Sequence, residues 1–321
     1  MGTGNASVFY GKIEGVQSFI GGFLKWTQGL PLCCHPARKK TMKLFKNNIK
    51  QIGIRRAQGE DDLLKVQALR YQVFYEEFGA KPIGDMADLK RDYDEFDDLA
   101  DHLVVTDTDP KSKVETIIGT YRLLKQDQAA KQGNFLTGKS YDLTPLLESG
   151  QSLLELSRSC VLPAYRTRPV LQLLWKGIAE YLIEYDIEVM LGCASFLTTD
   201  INEVKQELAY LHHHHLVPKA MRVRARDDLF ENMDLVPNAD INVRKSFHKL
   251  PPLIKGYLRV GSTVGEGAVI DHQFGTIDVF VSMQTHMIAG RYRKHYMDDK
   301  TIGKSDAAEN VANLLTTDDI E

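Results

Sequence analysis

Six charged side chains sit where charge is expensive. Arg70, Asp94, Asp97, Arg122, Glu155 and Arg158 each lie in or beside an apolar run. An unpaired buried charge is costly, so residues in such places find partners. Brought together, these would form an alternating acid–base cluster, able to bind an amine, hold a carboxylate or take a proton. The plainer alternative is a structural ion-pair network. Cys160 and Cys193 also lie in apolar runs and would be nucleophiles only beside a base, which nothing in their neighbourhood supplies. His212 to His215 suggest a metal at first sight. In a helix only one pair stands at i, i+3, and no acid or cysteine is locally placed to complete a site. No metal is therefore assigned, and a solvent-facing or helix-capping role is expected.

The elements that must position these groups are read from periodicity. Leu153 to Leu162 reads as a strand carrying Glu155 and Arg158, closed by Pro163. Tyr165-Arg166-Thr167-Arg168-Pro169 then opens a helix whose apolar face is Val170, Leu173, Leu174, Ile178, Tyr181 and Leu182. Arginines at a helix N-terminus just past a strand make an anion seat, since the backbone N–H groups there point outward. Ile187 to Leu191, followed by Gly192-Cys193-Ala194-Ser195, reads as the next strand. Upstream, the pattern predicts a strand over Ile49–Arg56 and one helix over Glu60–Glu77. A charged loop with a turn or two of helix follows over Lys81–Leu99, then a hairpin of His102–Thr106 and Thr116–Leu124. Gln126–Tyr141 reads as polar connection and Leu143–Leu147 as a helical turn. Downstream come helices over Thr199–Tyr210 and Pro251–Leu258, and strands over Ala268–Asp271 and Ile277–Met283.

The totals bound the classes of function. The chain has 321 residues, 43% of them hydrophobic, enough for one large core or two modest ones. Four cysteines, two of them the adjacent Cys33 and Cys34, make no disulfide framework, so a reducing, cytoplasmic setting is expected. No apolar run is long enough to span a membrane, and the N-terminal residues do not read as a signal peptide. Charge is unevenly spread. Residues 1–48 form a basic leader whose Phe9, Ile13, Val16, Ile20, Phe23 and Leu24 share one helical face, a pattern that suits peripheral binding at a membrane interface. Residues 85–109 are rich in Asp, which argues against a nucleic-acid groove. Residues 297–321 are expected to be a polar, mobile tail, leaving 49–296 as one α/β domain. There is no G-x-S-x-G, P-loop or G-x-G-x-x-G. His102 and Asp107 match an H-x-x-x-x-D acyltransferase pattern, but along a strand they are not set side by side as that chemistry needs.

Four blocks carry a resemblance: R-Y-Q-V-F at 70–74, D-E-F-D at 94–97, G-T-Y-R-L-L at 119–124 and E-L-S-R-S-C-V at 155–161. Their order resembles that of the acyl-homoserine-lactone synthases and the related N-acyl amino acid and ornithine lipid synthases. Later blocks favour the ornithine–acyl-carrier-protein N-acyltransferases. These are L-L-W-K-G-I at 173–178, L-G-C-A-S at 191–195, Y-L-H-H-H-H-L at 210–216, L-P-P-L-I-K-G-Y-L-R at 250–259 and R-Y-x-x-H-Y at 291–296. The resemblance covers about residues 50–296.

The resemblance implies a GNAT-like α/β fold, a mixed, splayed sheet flanked by helices. It implies transfer of a (3-hydroxy)acyl chain from acyl carrier protein to the α-amine of an amino acid, most simply ornithine. No bound cofactor is implied; the phosphopantetheine thioester is a co-substrate. Aminolysis of a thioester needs a proton acceptor, and Glu155 on the central strand is the first choice, with Asp94 and Asp97 as alternatives. Arg70, Phe74, Arg122, Ser157, Arg158 and Cys160 would lie around the substrate. Backbone N–H groups near Ser157 to Cys160 would meet the oxyanion. Many GNAT proteins seat the coenzyme A pyrophosphate in a glycine-rich turn, but Arg166-Thr167-Arg168-Pro169-Val170-Leu171 has no glycine, which favours a carrier protein as donor. Arg166, Arg168, Arg222, Arg224 and Arg226 are the expected contacts to that acidic partner. Other acceptors such as glycine, a signal synthase using S-adenosylmethionine, and a non-catalytic lipid-binding protein stand as alternatives.

Overall fold

A computed structural model describes residues 52–286. The leader and the tail, Cys33, Cys34 and the 291–296 block lie outside the described residues. Nine strands form one sheet in the order β1-β2-β3-β5-β6-β9-β8-β7-β4. Strands β1 (Ile52–Arg56), β2 (Asp101–Thr108), β3 (Glu115–Lys125) and β5 (Leu153–Val161) form one antiparallel block. Strands β6 (Val189–Phe196), β9 (Thr276–Gln284) and β8 (Thr263–Asp271) form a second antiparallel block. The two-residue strands β7 (Arg224–Ala225) and β4 (Tyr141–Asp142) finish the far edge.

The two antiparallel blocks meet at β5 and β6, which are parallel and pair only over Leu153–Val189, Leu154–Met190 and Glu155–Leu191. Beyond Glu155 the two strands continue, to Val161 and Phe196, without a ladder between them. The sheet therefore splays, and its two inner edges leave backbone groups unpaired by one another. Gly192 stands at the vertex. A Cβ there would run into the carbonyl oxygen of Leu156, so only glycine lets the strands approach before they part.

Helices cover both faces. Helix α1 (Gly59–Tyr71) packs Val66 and Leu69 against Val104, Ile117 and Cys160. The predicted single helix to Glu77 instead widens into a π-helical turn over Gln72–Glu77, closed by Phe78 N–H on Val73 O at 3.1 Å. The wider turn places Phe74 and Tyr75 against Phe274. On the other face α2 (Arg168–Glu184) buries Val170, Leu174, Trp175, Ile178 and Tyr181 in the main core. Helix α3 (Ile201–His215) is capped by Asp200, whose side chain accepts from Asn202 N–H, and it runs on through all four histidines rather than ending at Tyr210. Helix α4 (Val243–Lys249), which periodicity missed, is capped by Asn242, and α5 (Pro252–Arg259) follows at once. The segment read as polar connection, 126–141, folds into short helical turns that cover β5. None of the described helices is long and apolar enough to cross a membrane.

Candidate active site

Strand β5 is the floor on which most of the predicted residues converge. Arg122 faces Ser157 across the β3–β5 ladder, and Leu124 faces Glu155, so these share one face of the sheet. The ladder then bulges. Arg158 adopts φ 54°, a left-handed conformation that costs a non-glycine residue about 1–2 kcal/mol. Such strain persists where surrounding contacts hold it, and here they do. The Arg158 guanidinium pairs with Asp94 at 3.1 Å and with Asp92 at 3.4 Å, and lies 4.8 Å over the Phe274 ring.

Around it the charges interlock. Arg70 binds both oxygens of Asp97, at 2.9 and 2.5 Å, and places Nε 2.8 Å from Asp92 Oδ2. Arg122 Nη1 lies 2.5 Å from Asp94 and 2.8 Å from Asp97, while its Nε donates to Ser157 Oγ at 3.0 Å. Gln67 donates to Asp97, and Tyr75 to Asp92. Three arginines thus neutralise three aspartates, and Arg70, Arg122 and Asp92 are wholly buried. Burial alone would raise the Asp97 carboxyl, but Arg70 and Arg122 outweigh it and hold the group far below the usual range. Asp94 is likewise lowered against its burial by Arg122 and Arg158. Neither is suited to take a proton at neutral pH. As alternative bases they are therefore set aside: their charge is what holds the arginines.

Glu155 differs. It is fully buried at the vertex, accepts the Leu136 and Thr137 N–H groups at 3.0 and 2.6 Å, and takes the Thr137 hydroxyl as well. Burial raises its pKa; the Thr137 donors and the more distant Arg122 charge only partly offset that. Arg122 Nη2 has no hydrogen-bond partner among the described residues.

Cys160 is not at the parting. It packs under α1, and burial pushes its thiol up to about 12. Cys193 lines the β6 side of the parting, but burial holds its thiol well above the ordinary value, so neither is a ready nucleophile. On the opposite face from Glu155, a cavity of about 10 Å³ opens at the vertex, bounded by Leu156, Gly192, Tyr257, Ser262 and Val281. Tyr257 and Tyr121 share a hydrogen bond at 2.5 Å there, and the buried Ser262 hydroxyl has no hydrogen-bond partner among the described residues.

The five arginines assigned to the carrier protein do not form one group. Arg166 is bound by Glu77 through two bonds of 2.6 Å and by the Val161 carbonyl, while Arg168 is exposed at the start of α2. Arg222 and Arg224 face Glu266 on β8, and Arg226 faces Asp228. Strands β6, β9 and β8 stand between β5 and β7. His212, His213 and Asp234 bring ligand-type atoms within 4.8 Å of one another, though His213 Nε2 is also 3.2 Å from the Val236 carbonyl.

Residues 69–176 match the acetyltransferase (GNAT) domain family. The chain is 44% identical over 245 residues to the L-ornithine N(alpha)-acyltransferase of Rhodobacter capsulatus, covering 76% of this chain and 93% of that protein. It is 41% identical over 254 residues to the enzyme of the same name from Rhizobium meliloti, covering 78% and 86%. The chain belongs to the L-ornithine N(alpha)-acyltransferase family. It is an acyltransferase built on a GNAT domain. Among solved structures it is similar to FeeM, an N-acyl amino acid synthase from uncultured soil microbes, at 10% identity and a TM-score of 0.41 over 78% of this chain and 98% of that one. It is also similar to the acyl-homoserine-lactone synthase LasI, at 14% identity and a TM-score of 0.37 over 73% and 88%.

Within this acyltransferase, sequence reasoning missed Asp92, Tyr75, Thr137 and Asp278. Asp92 was one acid among many in its loop, and Thr137 sat in a stretch without periodicity. Asp278 carried the same signal as Glu155, a lone acid in an apolar strand run.

Proposed function

We propose that this acyltransferase moves an acyl chain from the phosphopantetheine thioester of acyl carrier protein to the α-amine of ornithine. The observation that carries the reading is the parting of β5 and β6 with a buried carboxylate, Glu155, at its vertex. A thioester laid between the strands presents its carbonyl to unpaired backbone N–H groups of the bulged β5 edge, which stabilise the oxyanion. The neutral α-amine attacks the carbonyl carbon. The N–C bond forms, the C–S bond breaks, and the thiol leaves with a proton. The proton lost by the amine passes to Glu155, directly or through one water, and from Glu155 to the departing thiolate. The Arg70, Arg122 and Arg158 cluster supports the bulge; Arg158, whose side chain keeps 18% of its surface exposed, would meet the acceptor's carboxylate. The glycine-free turn at Arg166 to Leu171 supports a carrier-bound arm over coenzyme A. The amphipathic leader would keep the enzyme at the membrane surface where its lipid product belongs.

The test is mass spectrometry of products from the purified chain with ornithine and either acyl-acyl-carrier-protein or acyl-coenzyme A. N-α-acylornithine should form, with kcat/KM at least about tenfold higher from the carrier protein. Glu155→Gln should lower kcat by roughly 10²–10⁴ while the circular dichroism spectrum is retained. Acylation of a different amino acid in preference to ornithine would overturn the acceptor; full activity in Glu155→Gln would remove the base.

A further inference from the structure

Opposite the arginine cluster, the β6–β9 arm of the parting carries a carboxylate that the acyl-transfer chemistry does not use. Asp278 lies across the ladder from Ser195 and shares its face with Cys193, Ser195 and, on the other arm, Glu155 and Ser157. It is half-buried, and it is the one charged residue of β9. Its partners are hydroxyls: Thr276 Oγ1 donates at 2.9 Å, and the Ser195 hydroxyl donates as well. Asp278 is in no ion pair with another described residue, whereas Asp92, Asp94 and Asp97 on the other arm are all matched to arginines. A carboxylate taken from water without a cation is costly to keep, and burial indeed raises this one.

The surroundings define what would fit it. The turn joining β8 to β9 lies at the open end of the parting and docks on the π-helical turn. Gln273 donates to Tyr75 at 3.1 Å, Lys81 N–H donates to the Gln273 carbonyl at 2.7 Å, and Phe274 slots between Phe74 and Arg158. The turn thus ties the β9 arm to the β5 arm across the mouth. Asp271 is occupied in holding that turn, accepting the Gln273 and Phe274 N–H groups at 2.8 Å each. One arm therefore offers a guanidinium with a partly exposed end, Arg158. The other offers an unmatched carboxylate, Asp278, and the two feel each other's charge.

We propose that Asp278 binds the side-chain ammonium of the amino-acid acceptor while Arg158 binds its carboxylate, so that the α-amine faces the thioester. The inference rests on the reading of the acceptor as ornithine and adds the residue that selects it. Two opposite charges at the two ends fix the direction of a diamino acid in the site. They also account for acylation at one nitrogen alone. A δ-ammonium with an ordinary pKa near 10.4 stays protonated on a carboxylate and cannot attack.

The experiment compares ornithine with norvaline, the same carbon chain without the δ-amine, as acceptors for the full chain and one acyl donor. Wild type should prefer ornithine by at least about tenfold in kcat/KM. In Asp278→Asn the KM for ornithine should rise roughly ten- to a hundredfold, norvaline kinetics should be unchanged, and the preference should approach unity. Asp278→Glu, whose carboxylate reaches one methylene further, should keep a preference for cationic acceptors and shift its optimum from ornithine towards the shorter 2,4-diaminobutyrate. An ornithine preference that survives Asp278→Asn, or an Asp278→Glu optimum that does not move, overturns the assignment while leaving the acyl-transfer reading intact. Equal use of ornithine and norvaline by wild type overturns it too, and a chain that acylates no amino acid sinks both.

Discussion

Asp97 and Glu155 are two carboxylates on one side of one sheet, pushed in opposite directions. Asp97 is ionised because two guanidiniums reach it; Glu155 meets amide and hydroxyl donors and only a distant charge. The contrast sets an acid held ionised by its arginines apart from one whose pKa is raised by burial. It also gives a stability prediction. The native pKa of Asp97 lies below its unfolded value of about 3.9, so its contribution is complete above that pH. It is lost as pH falls through the lower native value. Asp97→Asn leaves Arg70 without its bidentate partner and should destabilise the fold by about 3–5 kcal/mol at neutral pH. It should also flatten the acid limb of the stability curve, measured by urea unfolding between pH 3 and pH 7. An unchanged midpoint would show that the cluster does not hold the fold. His102, buried and pushed below its ordinary pKa by that burial, adds to the same acid sensitivity.

At the scale of elements, the parting is made by three local irregularities rather than by any long segment. The π-helical turn aims Tyr75 at Asp92, the β5 bulge falls at Arg158, which pairs with Asp92 and Asp94, and Gly192 lets β6 touch β5 before leaving it. Gly192→Ala tests the last. Its methyl would meet the Leu156 carbonyl oxygen, so the strands must shift; overpacking of this kind costs about 1–3 kcal/mol. Because the shift falls at the vertex, kcat should drop by more than the stability loss explains, at temperatures where the variant is fully folded. A variant with wild-type kcat and melting temperature would show that the vertex tolerates the spread. All three irregularities break the regular periods from which elements are read, so the sequence placed the helix over Glu60–Glu77 but not its widening. It likewise placed β5 but not the bulge within it.

For the whole molecule, the sheet separates two tasks by face. One face holds the charge cluster, Glu155 and Asp278; the other holds the main core under α2 and the small cavity at the vertex. The donor must approach from outside, and of the five arginines only Arg168 is both exposed and beside the end of β5. Arg168→Glu should raise the KM for acyl carrier protein several-fold, more at low salt, and leave the KM for ornithine unchanged. Arg224→Glu should matter less, since Arg224 is already matched by Asp227 and Glu266. Equal effects from both would point to a carrier footprint that wraps round to β7.

By itself the sequence determined the α/β elements, because helical and alternating apolar patterns impose them. It also marked Arg70, Asp94, Asp97, Arg122, Glu155 and Arg158, because charge inside an apolar run must find a partner. Only the tertiary structure decided who the partners are. Pairing depends on ladder register, on the bulge at Arg158 and on a loop acid, Asp92, that nothing local distinguishes from its neighbours. The same holds for Asp278. Its place in an apolar strand was visible from the start, but its lack of a matching cation exists only once every arginine on that face has been assigned.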